Sequence, residues 1–173
     1  MMMRMSILGL VVLISRLGHG QDQQPANLAH RRVEFVLNLS APYENVFPLF
    51  GADKERVWAE GWDPQFVHPQ PARDQAGAVF TVEGGHSSVW VNTIFDAEHG
   101  RVQYACFAGE SMVTLITIHV QKIGPSETKA IVVYERTALK PEANDHVNRS
   151  ADGDQTKGPE WEAALRTYLG RKQ

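Results

Sequence analysis

The sequence predicts an α+β fold in which a curved antiparallel sheet packs against a carboxy-terminal helix. One β-patterned segment is followed by two short helical segments, and five consecutive segments then alternate apolar and polar residues. Short turns separate these five segments, which favours an antiparallel meander. The last segment carries an apolar stripe at helical spacing, and this stripe needs a surface to cover.

The amino-terminal part of the domain predicts one strand and two short helices. Segment 33–39 alternates, which indicates a strand with its odd-numbered apolar residues on one face. Pro42 ends this strand and suits the first position of a helix. Gly51 ends the first helical segment. Segment 52–59 then predicts a second short helix that carries Val57 and Trp58 inward.

The middle of the chain changes to a period of two residues. Residues 61–64 form a predicted turn, and Pro69 and Pro71 keep the next stretch extended. A tight turn at Gly84-Gly85 separates the first two strands that follow. The predicted strands of this region are segments 78–83, 87–95, 101–108, 112–122 and 128–138. Together with the first strand, the prediction is a sheet of six strands.

The carboxy-terminal region is predicted to be helical but interrupted. Gly153, Gly158 and Pro159 make one unbroken helix costly, about 3 kcal/mol for an interior proline alone. We therefore expect a new helical segment to begin at Pro159 and to cover the concave face of the sheet. Its apolar stripe comprises Trp161, Leu165, Tyr168 and Leu169.

Composition excludes several classes of protein. The chain has 173 residues, of which 43% are hydrophobic and 21% charged, as expected for one domain with its own core. A net charge of −3 without a basic run excludes nucleic acid as an expected partner. The single cysteine, Cys106, excludes an intrachain disulfide and indicates a small buried hydrophobe. No segment has metal-ligand, phosphate-loop or dinucleotide spacing, so we expect no metal and no cofactor.

The first twenty residues have the layout of a secretory signal. Arg4 precedes an apolar run, Ile7 to Ile14, that is too short to span a bilayer. Gly18 and Gly20 suit the two small-residue positions before a cleavage site. A start codon placed too early is the alternative explanation, because Met recurs at positions 1, 2, 3 and 5.

These patterns divide the chain into a signal peptide at 1–20, a polar leader at 21–31 and a single domain at 32–170. The protein is expected to be secreted or periplasmic if the signal is real, and cytoplasmic otherwise. No membrane-spanning segment is expected in the mature chain. The sequence does not predict the oligomeric state.

The order of these elements is the helix-grip order, and the residues resemble the START-like superfamily, also called SRPBCC. This superfamily includes polyketide cyclases, lipid-transfer domains and pollen-allergen-type carriers. The resemblance covers about Arg32 to Gly170 and is greatest to a small subgroup of bacterial-type members. It implies a cavity between the curved sheet and the last helix, but no reaction, because the superfamily contains binders and enzymes alike. The matching residues are Ser40-Ala41-Pro42, Val46 to Phe50, Trp58, Gly61 to Pro64, Trp90-Val91, Phe95-Asp96 and Trp161 to Leu165.

The inward-facing residues predict where a ligand would bind. Pockets for small molecules are mostly apolar with a few polar anchors, although the same side chains could also fill the core completely. Trp58 and Trp62 suit either the aromatic mouth of a cavity or an anchor for the second helix. The candidate ligand-binding residues are Trp58, Trp62, Phe80, Trp90, Tyr104, Met112, Ile116, Tyr134, Arg136, Trp161 and Leu165.

Arg136 is the main polar candidate inside this cavity. It shares the inward parity of Tyr134, and its guanidinium could hold a carboxylate or another anion of a ligand. An ion pair with Glu142 or Glu160 near the end of the strand is the simpler interpretation, and we favour it.

Two histidines, His68 and His86, fall in loop or turn positions near the expected rim. With Glu60 or Asp63, either histidine could form an acid–base pair. Exposed loop histidines without such a role are the favoured interpretation. Asp63 itself is expected to cap its own turn.

The favoured function is binding or transport of a small hydrophobic or amphipathic molecule, and we assign no catalytic residue. The first alternative is an enzyme of cyclase, dehydratase or hydrolase type that uses His68, Asp63 or Arg136, which requires two polar groups to converge in the pocket. The second alternative is a protein-interaction module, as in co-chaperone-like members of the superfamily. That alternative predicts a large exposed apolar patch at the interrupted carboxy-terminal helix.

Overall fold

The computed structural model describes residues 27–83 and 88–171, and in them seven strands form one sheet. The predicted signal peptide, most of the leader, and the predicted turn at Gly84-Gly85 with His86 lie outside the described residues. The strands are β1 (His30–Leu39), β2 (Pro64–His68), β3 (Val79–Val82), β4 (Ser88–Asp96), β5 (Arg101–Ala108), β6 (Met112–Gly124) and β7 (Glu127–Ala138). The helices are α1 (Tyr43–Val46), α2 (Ala52–Glu55), α3 (Asn144–Asp154) and α4 (Lys157–Gly170), with 3₁₀ turns at Phe47–Phe50 and Pro141–Ala143.

All neighbouring strands are antiparallel, in the order β1-β7-β6-β5-β4-β3-β2. The six strands from β2 to β7 form a meander, and β1 pairs with β7 at the far edge. The carboxy-terminal helices pack against this end of the sheet, because α3 contacts β1 and β7 and α4 contacts β1. The predicted α+β class, with a curved antiparallel sheet and a carboxy-terminal helical cover, is confirmed.

The predicted number of six strands is wrong because β2 was assigned to a turn and an extended stretch. This strand has only five residues, begins with a proline and lies at the edge of the sheet. Proline is accepted at the first residue of an edge strand, where no ladder donor is needed. Val67 in this strand is 64% exposed, so the apolar alternation that reveals the other strands is missing here.

Helix α2 is shorter than the predicted segment 52–59, and Val57 points outward with 46% of its surface exposed. Trp58 does point inward, and its indole N–H donates to the Leu49 carbonyl at 2.7 Å. That bond fixes Trp58 in the core within a tight turn after α2, which leaves its neighbour Val57 on the outside.

The amino terminus of α2 is capped by a residue from a distant loop. The Asp74 carboxylate accepts hydrogen bonds from the backbone N–H groups of Asp53 at 2.8 Å and Lys54 at 3.3 Å. Gly51 precedes the helix and has no side chain, so Asp74 occupies the space that a capping residue would fill. A Cβ atom at position 51 would lie 2.2 Å from the Asp74 carboxylate, which explains why glycine is required here.

The predicted interruption of the carboxy-terminal helix is present, at Gln155 and Thr156 between α3 and α4. Helix α4 begins at Lys157, two residues before the predicted start, so Pro159 lies in its first turn. A proline in the first turn removes no intrahelical hydrogen bond. No helix in the ranges 27–83 and 88–171 is long and apolar enough to cross a membrane.

Gly158 brings the first turn of α4 into close contact with β1. A Cβ atom at this position would lie 3.2 Å from the Cβ atom of Phe35. Phe35 cannot easily move away, because its ring lies between those of Tyr134, at 6.1 Å, and Trp161, at 5.7 Å. Gly153 in α3 is different, because nothing lies within 4 Å of a Cβ atom built there.

Substitution of these two glycines tests the close contact. We expect Gly153→Ala to raise the free energy of unfolding by up to about 1 kcal/mol, because alanine is the better helix former and has room. Gly158→Ala should be less stable than Gly153→Ala by about 1–3 kcal/mol, since the new methyl group overpacks against Phe35. Urea denaturation followed by tryptophan fluorescence measures both. Equal stability of the two variants would contradict the packing described for α4.

Candidate functional site

A cavity of about 390 Å³ lies between the inner face of the sheet, the segment that follows α2, and α4. Its volume is within the range of small-molecule sites. The residues that line it are Glu55, Ala59, Glu60, Gly61, Trp62, Trp90, Tyr104, Cys106, Met112, Thr114, Ile116, Ile118, Tyr134, Arg136, Lys157 and Trp161.

Strand register explains why these side chains meet. Two adjacent rows of paired residues cross the sheet on the same face, because every second residue of a strand points to that face. One row runs through Trp90, Cys106, Thr114 and Arg136, and the next runs through Asn92, Tyr104, Ile116 and Tyr134. The sheet therefore supplies one wall of the cavity from β4, β5, β6 and β7.

Eight of the eleven candidate ligand-binding residues lie on the cavity wall, and three lie in the core instead. The core residues are Trp58, Phe80 and Leu165, which are 8%, 0% and 0% exposed. Trp58 packs under the wall, with its ring centroid 5.3 Å from that of Trp161. The residues on the wall are Trp62, Trp90, Tyr104, Met112, Ile116, Tyr134, Arg136 and Trp161.

The tryptophan rings on the wall are fixed by hydrogen bonds and by ring contacts. The indole N–H of Trp62 donates to the Ala52 carbonyl at 2.8 Å, and that of Trp90 donates to the Ser88 hydroxyl at 2.8 Å. The two rings meet edge to face, with centroids 5.3 Å apart and an interplanar angle of 85°. Since both N–H groups are occupied, these side chains contribute apolar ring surface to the cavity and no free donor.

Arg136 lies on the wall, and its ion pair has a partner that the sequence did not predict. Its Nε donates to Asp154 Oδ2 at 2.6 Å and its Nη2 to Asp154 Oδ1 at 2.8 Å, while Nη1 donates to Thr114 Oγ1 at 2.9 Å. The expected partners Glu142 and Glu160 are therefore wrong. Helix α3 packs along β7 and brings Asp154, its last residue, to the guanidinium.

This ion pair is buried, since the Asp154 side chain is 1% exposed and that of Arg136 is 14% exposed. Burial by itself would lower the pKa of Arg136, but the hydrogen bonds and the charge of Asp154 outweigh it and raise the pKa. The guanidinium carbon also lies 5.2 Å from the centroid of the Tyr134 ring. The cation is thus neutralised within the protein, which weakens the prediction that Arg136 holds a ligand anion.

Glu55 is the most unusual polar residue of the cavity, and sequence reasoning missed it. It is only 8% exposed, and no described residue forms a hydrogen bond or an ion pair with its carboxyl group. Burial, and secondarily the charge of Asp74, raises the pKa of this carboxyl well above its usual value. A carboxyl group in such a place is a functional-site candidate on physical grounds.

The two tyrosines of the wall differ in how their hydroxyl groups are used. The Tyr104 hydroxyl donates to the Phe50 carbonyl at 2.8 Å. The Tyr134 hydroxyl has no hydrogen-bond partner among the described residues, although the residue is only 5% exposed. Burial first, and then the charge of Glu55, raises the pKa of both hydroxyl groups. Both tyrosines are therefore neutral at physiological pH.

Cys106 is buried as predicted, but it also lies on the cavity wall. Burial raises the pKa of its thiol to about 11, so the group is a neutral thiol and a weak nucleophile at physiological pH. This agrees with the interpretation of Cys106 as a small hydrophobe. Cys106 is a small residue between Trp90 and Thr114 in the row of paired residues that ends at Arg136.

A sequence signal for Glu55 was available. Glu55 lies three residues after Ala52 and three before Trp58, so all three share one helical face. The inward position of Trp58 therefore implies an inward carboxyl at position 55. Alternation also places Thr114 on the inner face with Met112 and Ile116, although it was not among the candidate ligand-binding residues.

Of the residues proposed for acid–base chemistry at the rim, the three that the structure describes, His68, Glu60 and Asp63, do not meet in the cavity. His68 is exposed at the end of β2 and does not line the cavity. Asp63 forms an ion pair with Arg56 and accepts a hydrogen bond from Gln65 at 2.8 Å, so it does not cap its own turn. Glu60 does reach the cavity, at its exposed rim.

Metal ligation has no support in the described ranges. No group of three or more His, Cys, Asp or Glu side chains comes together there in a way that could hold a metal ion. The ionisable and hydroxyl-bearing residues that line the cavity are Glu55, Glu60, Tyr104, Tyr134, Thr114, Cys106, Arg136 and Lys157.

The sheet, its carboxy-terminal helical cover and the cavity between them make up a helix-grip fold. Solved structures with this fold confirm the assignment. The norcoclaurine synthase of Thalictrum flavum superposes with a TM-score of 0.60 at 16% identity, over 95% of this chain and 97% of that chain. Another structure of that enzyme, in complex with dopamine and hydroxybenzaldehyde, gives a TM-score of 0.59 at 15% identity, over 95% of each chain.

Bacterial proteins show the same similarity. An aromatase/cyclase from a Streptomyces species superposes with a TM-score of 0.59 at 12% identity, over 84% of this chain and 97% of that chain. A protein from Rhizobium leguminosarum gives a TM-score of 0.56 at 18% identity, over 83% and 98% of the two chains. No family model matches the sequence, and no curated protein matches it. At these identities the similarity establishes the fold alone.

The ion pair between Arg136 and Asp154 gives a stability prediction. Asp154→Asn should lower the free energy of unfolding by about 3–5 kcal/mol, because it leaves a buried guanidinium without its counter-charge. Asp152→Asn is the matched control in the same helix, since the Asp152 side chain is 66% exposed and its pair with Arg31 lies at the surface. The control should change stability by less than about 1 kcal/mol. Chemical denaturation measures both, and equal effects would show that the buried pair does not hold α3.

The raised pKa of Glu55 predicts a pH dependence of stability. The ordinary pKa of a glutamate carboxyl is 4.5. Above that pH, Glu55 loses its proton in the unfolded chain but retains it in the folded protein. Wild-type stability therefore falls as the pH rises from there to the folded pKa. Glu55→Gln removes this loss, so the stability advantage of the variant should grow over that window and then level off.

Thermal unfolding of the wild type and Glu55→Gln between pH 4 and pH 9 measures this difference. Glu60→Gln, at the exposed rim, is the control and should give a constant difference from the wild type. A constant difference for Glu55→Gln as well would contradict the burial of its carboxyl group.

Proposed function

We propose that this protein binds a small, mostly apolar molecule with an aromatic or other flat ring body in the cavity between the sheet and α4. The observation that carries this proposal is the open space itself, about 390 Å³ beside five aromatic side chains. A cavity of this size is large enough for a molecule of one or two rings. The fixed rings of Trp62 and Trp90 give such a molecule flat apolar surfaces to pack against.

The fold similarity supports the same proposal at a general level. One structure of norcoclaurine synthase holds dopamine and hydroxybenzaldehyde, so the helix-grip fold can enclose small aromatic molecules. The charged residues at the rim of the present cavity, Glu60 and Lys157, would remain in contact with water when the ligand body is inside. An amphipathic ligand with its apolar part inward suits this distribution of charge.

Catalysis is the second candidate, and it rests on Glu55 instead of the residues proposed from the sequence. A buried carboxyl without a protein partner can exchange a proton with a bound molecule. His68 and Asp63 do not line the cavity, and Arg136 is already paired. An enzyme of cyclase or dehydratase type would therefore use Glu55 together with the neighbouring Tyr134.

A protein-interaction role receives less support. The predicted apolar patch at the interrupted carboxy-terminal region is not found in the part of the chain that the structure describes. Val147 and Ala151 of α3 are 0% and 1% exposed, and neither α3 nor α4 carries an exposed large hydrophobic residue there. These helices use their apolar faces against the sheet and each other.

Native mass spectrometry of the protein purified from its own compartment tests the binding proposal. We expect a stoichiometric small molecule that is released on denaturation and contains an aromatic or fused ring. The mass of the mature chain in the same spectrum reports whether residues 1–20 are removed. An empty protein whose tryptophan fluorescence does not respond to a panel of hydrophobic probes would contradict an accessible cavity.

A pair of variants on one strand shows whether the cavity is where the probes bind. Cys106→Phe places a ring inside the cavity and should weaken the binding of naphthalene-sized probes by at least about 10-fold, because the new ring occupies their volume. Ala105→Phe adds the same ring to the outer face of β5 and should leave the affinity unchanged. Fluorescence titration measures both. Equal losses in the two variants would place the binding site elsewhere.

A further inference from the structure

We propose that Glu55 and Tyr134 form a pair of hydrogen-bond donors that receives one acceptor oxygen of the ligand, such as a ketone or phenol oxygen. This inference rests on the proposed binding function and adds the chemistry of the ligand's inner end. Its basis is geometric: two polar side chains from different elements line one cavity, and neither has a partner in the described protein.

The burial of both groups makes their lack of partners significant. Glu55 is 8% exposed and Tyr134 is 5% exposed. A buried polar group that makes no hydrogen bond costs on the order of 1–3 kcal/mol, so proteins rarely leave one unsatisfied. In the described ranges, no fully buried side-chain nitrogen or oxygen atom lacks a partner. The unpaired polar atoms of Glu55 and Tyr134 therefore open onto the cavity, where a bound molecule can receive their hydrogen bonds.

Glu55 and Tyr134 approach the cavity from opposite sides. Glu55 is the last residue of α2, and Tyr134 lies on β7 in the row that contains Ile116 and Tyr104. Burial, and then the charge of Glu55, raises the pKa of Tyr134, so the two groups face the same space. In this proposal, one oxygen atom bound in that space receives a hydrogen bond from each group.

The surroundings of Glu55 favour the protonated carboxyl, which can donate a hydrogen bond. Burial is the main cause of the raised pKa of this carboxyl, and the charge of Asp74, from the loop before β3, adds to it. On β5 and β7 the nearby groups are neutral hydroxyl and thiol groups, those of Tyr104, Cys106 and Tyr134. Arg136 on β7 is neutralised by Asp154 of α3.

Two charged residues lie at the rim of the cavity. Lys157 of α4 is half-buried at the cavity and Glu60 is exposed there, and they carry opposite charges. Within α2 itself, Asp53 and Lys54 direct their backbone N–H groups to Asp74. Within residues 27–83 and 88–171, no cation pairs with the Glu55 carboxyl.

The charged groups around the cavity disfavour a ligand whose inner end carries a charge. A ligand carboxylate at the inner end of the cavity would need a free cation there, but three N–H groups of Arg136 are already bonded to Asp154 and Thr114, and Lys157 lies at the rim. A ligand ammonium would have to enter beside the Arg136 guanidinium, which lies 5.2 Å from the Tyr134 ring centroid. A neutral acceptor oxygen meets neither obstacle and satisfies two donors at once.

Two neutral donors of this kind also have a defined chemical capability. A protonated carboxyl and a tyrosine hydroxyl in an apolar cavity bind an oxygen more strongly as negative charge develops on it, and this favours enolate or phenolate character. The site would thus recognise a carbonyl compound or phenol by its oxygen, and it would polarise that group.

Three naphthalene derivatives of nearly equal shape test the inference. These are 2-acetylnaphthalene, in which the oxygen is an acceptor, 2-isopropenylnaphthalene, in which a methylene replaces that oxygen, and 1-(2-naphthyl)ethylamine, which is a cation. We expect the ketone to bind more tightly than the hydrocarbon, by roughly 3- to 10-fold for each donor. Tyr134→Phe removes one donor, so it should weaken the binding of the ketone by one factor of roughly 3- to 10-fold and leave the affinity of the hydrocarbon unchanged.

Tyr104→Phe is the matched control, because the Tyr104 hydroxyl lies on the same wall but already donates to the Phe50 carbonyl. It should not change the preference for the ketone. Circular dichroism verifies that each variant is folded. The infrared stretch of the bound ketone gives an independent readout: its carbonyl band should shift to lower frequency in the wild type, and by a smaller amount in Tyr134→Phe.

The pH dependence separates Glu55 from Tyr134. Ketone affinity should decrease as the pH rises through the raised pKa of Glu55, because a carboxylate cannot donate and repels the carbonyl oxygen. In Glu55→Gln the amide still donates but does not titrate, so this decrease should disappear. The hydrocarbon should bind equally at every pH in both proteins.

Three outcomes overturn the inference. If the ketone and the hydrocarbon bind equally, the cavity binds molecules but the donor pair is wrong. If the amine binds most tightly, and more so as the pH rises, Glu55 is the carboxylate of a cation site instead. If none of the three binds, the proposed binding function fails together with the inference.

Discussion

A buried ion pair determines how the carboxy-terminal helices cover the sheet. Arg136 extends from β7, and the last residue of α3, Asp154, binds its guanidinium through two hydrogen bonds. The chain turns at Gln155 and Thr156, directly after the residue that this ion pair fixes. Helix α4 then starts from a defined position and places Trp161 above the inner face of the sheet. The cavity exists because α4 is held there.

A second long-range contact places the acid on the other side of the cavity. Helix α2 has only four residues, and a helix of that length is not stable alone. The Asp74 carboxylate binds its first N–H groups, and the two indole bonds that follow, from Trp58 and Trp62, fix the succeeding turns. Glu55 is consequently held in the cavity by its backbone. Burial raises the pKa of the Glu55 carboxyl well above its usual value, and the charge of the same Asp74 that caps the helix adds to this rise.

The sequence predicts well those elements whose side chains face one side consistently. Alternation located β5 with both of its ends, and it placed Tyr104, Ile116 and Tyr134 on the inner face. Gly153, Gly158 and Pro159 predicted the interruption of the carboxy-terminal helix. Such signals are local, and they persist because one face of each element is buried over its whole length.

The remaining features depend on contacts between distant residues. Strand β2 has too few buried residues to show a period, and it exists because it pairs with β3. The partner of Arg136 depends on the exact length of α3, which brings Asp154 to the guanidinium rather than Glu142 or Glu160. The role of Glu55 depends on Asp74, 19 residues further along the chain. Periodicity alone carries no information about such pairs.

Hydrogen bonding distinguishes the buried polar groups that stabilise the fold from those that face the cavity. Arg136, Asp154 and Tyr104 are buried, and each has hydrogen-bond partners that hold the fold together. Glu55 and Tyr134 are 8% and 5% exposed, yet their polar atoms have no protein partner in the described ranges and open onto the cavity. Natural sequences break local rules of this kind mainly at functional sites. That both exceptions face one cavity is therefore the main physical argument that the cavity binds a ligand with a polar inner end.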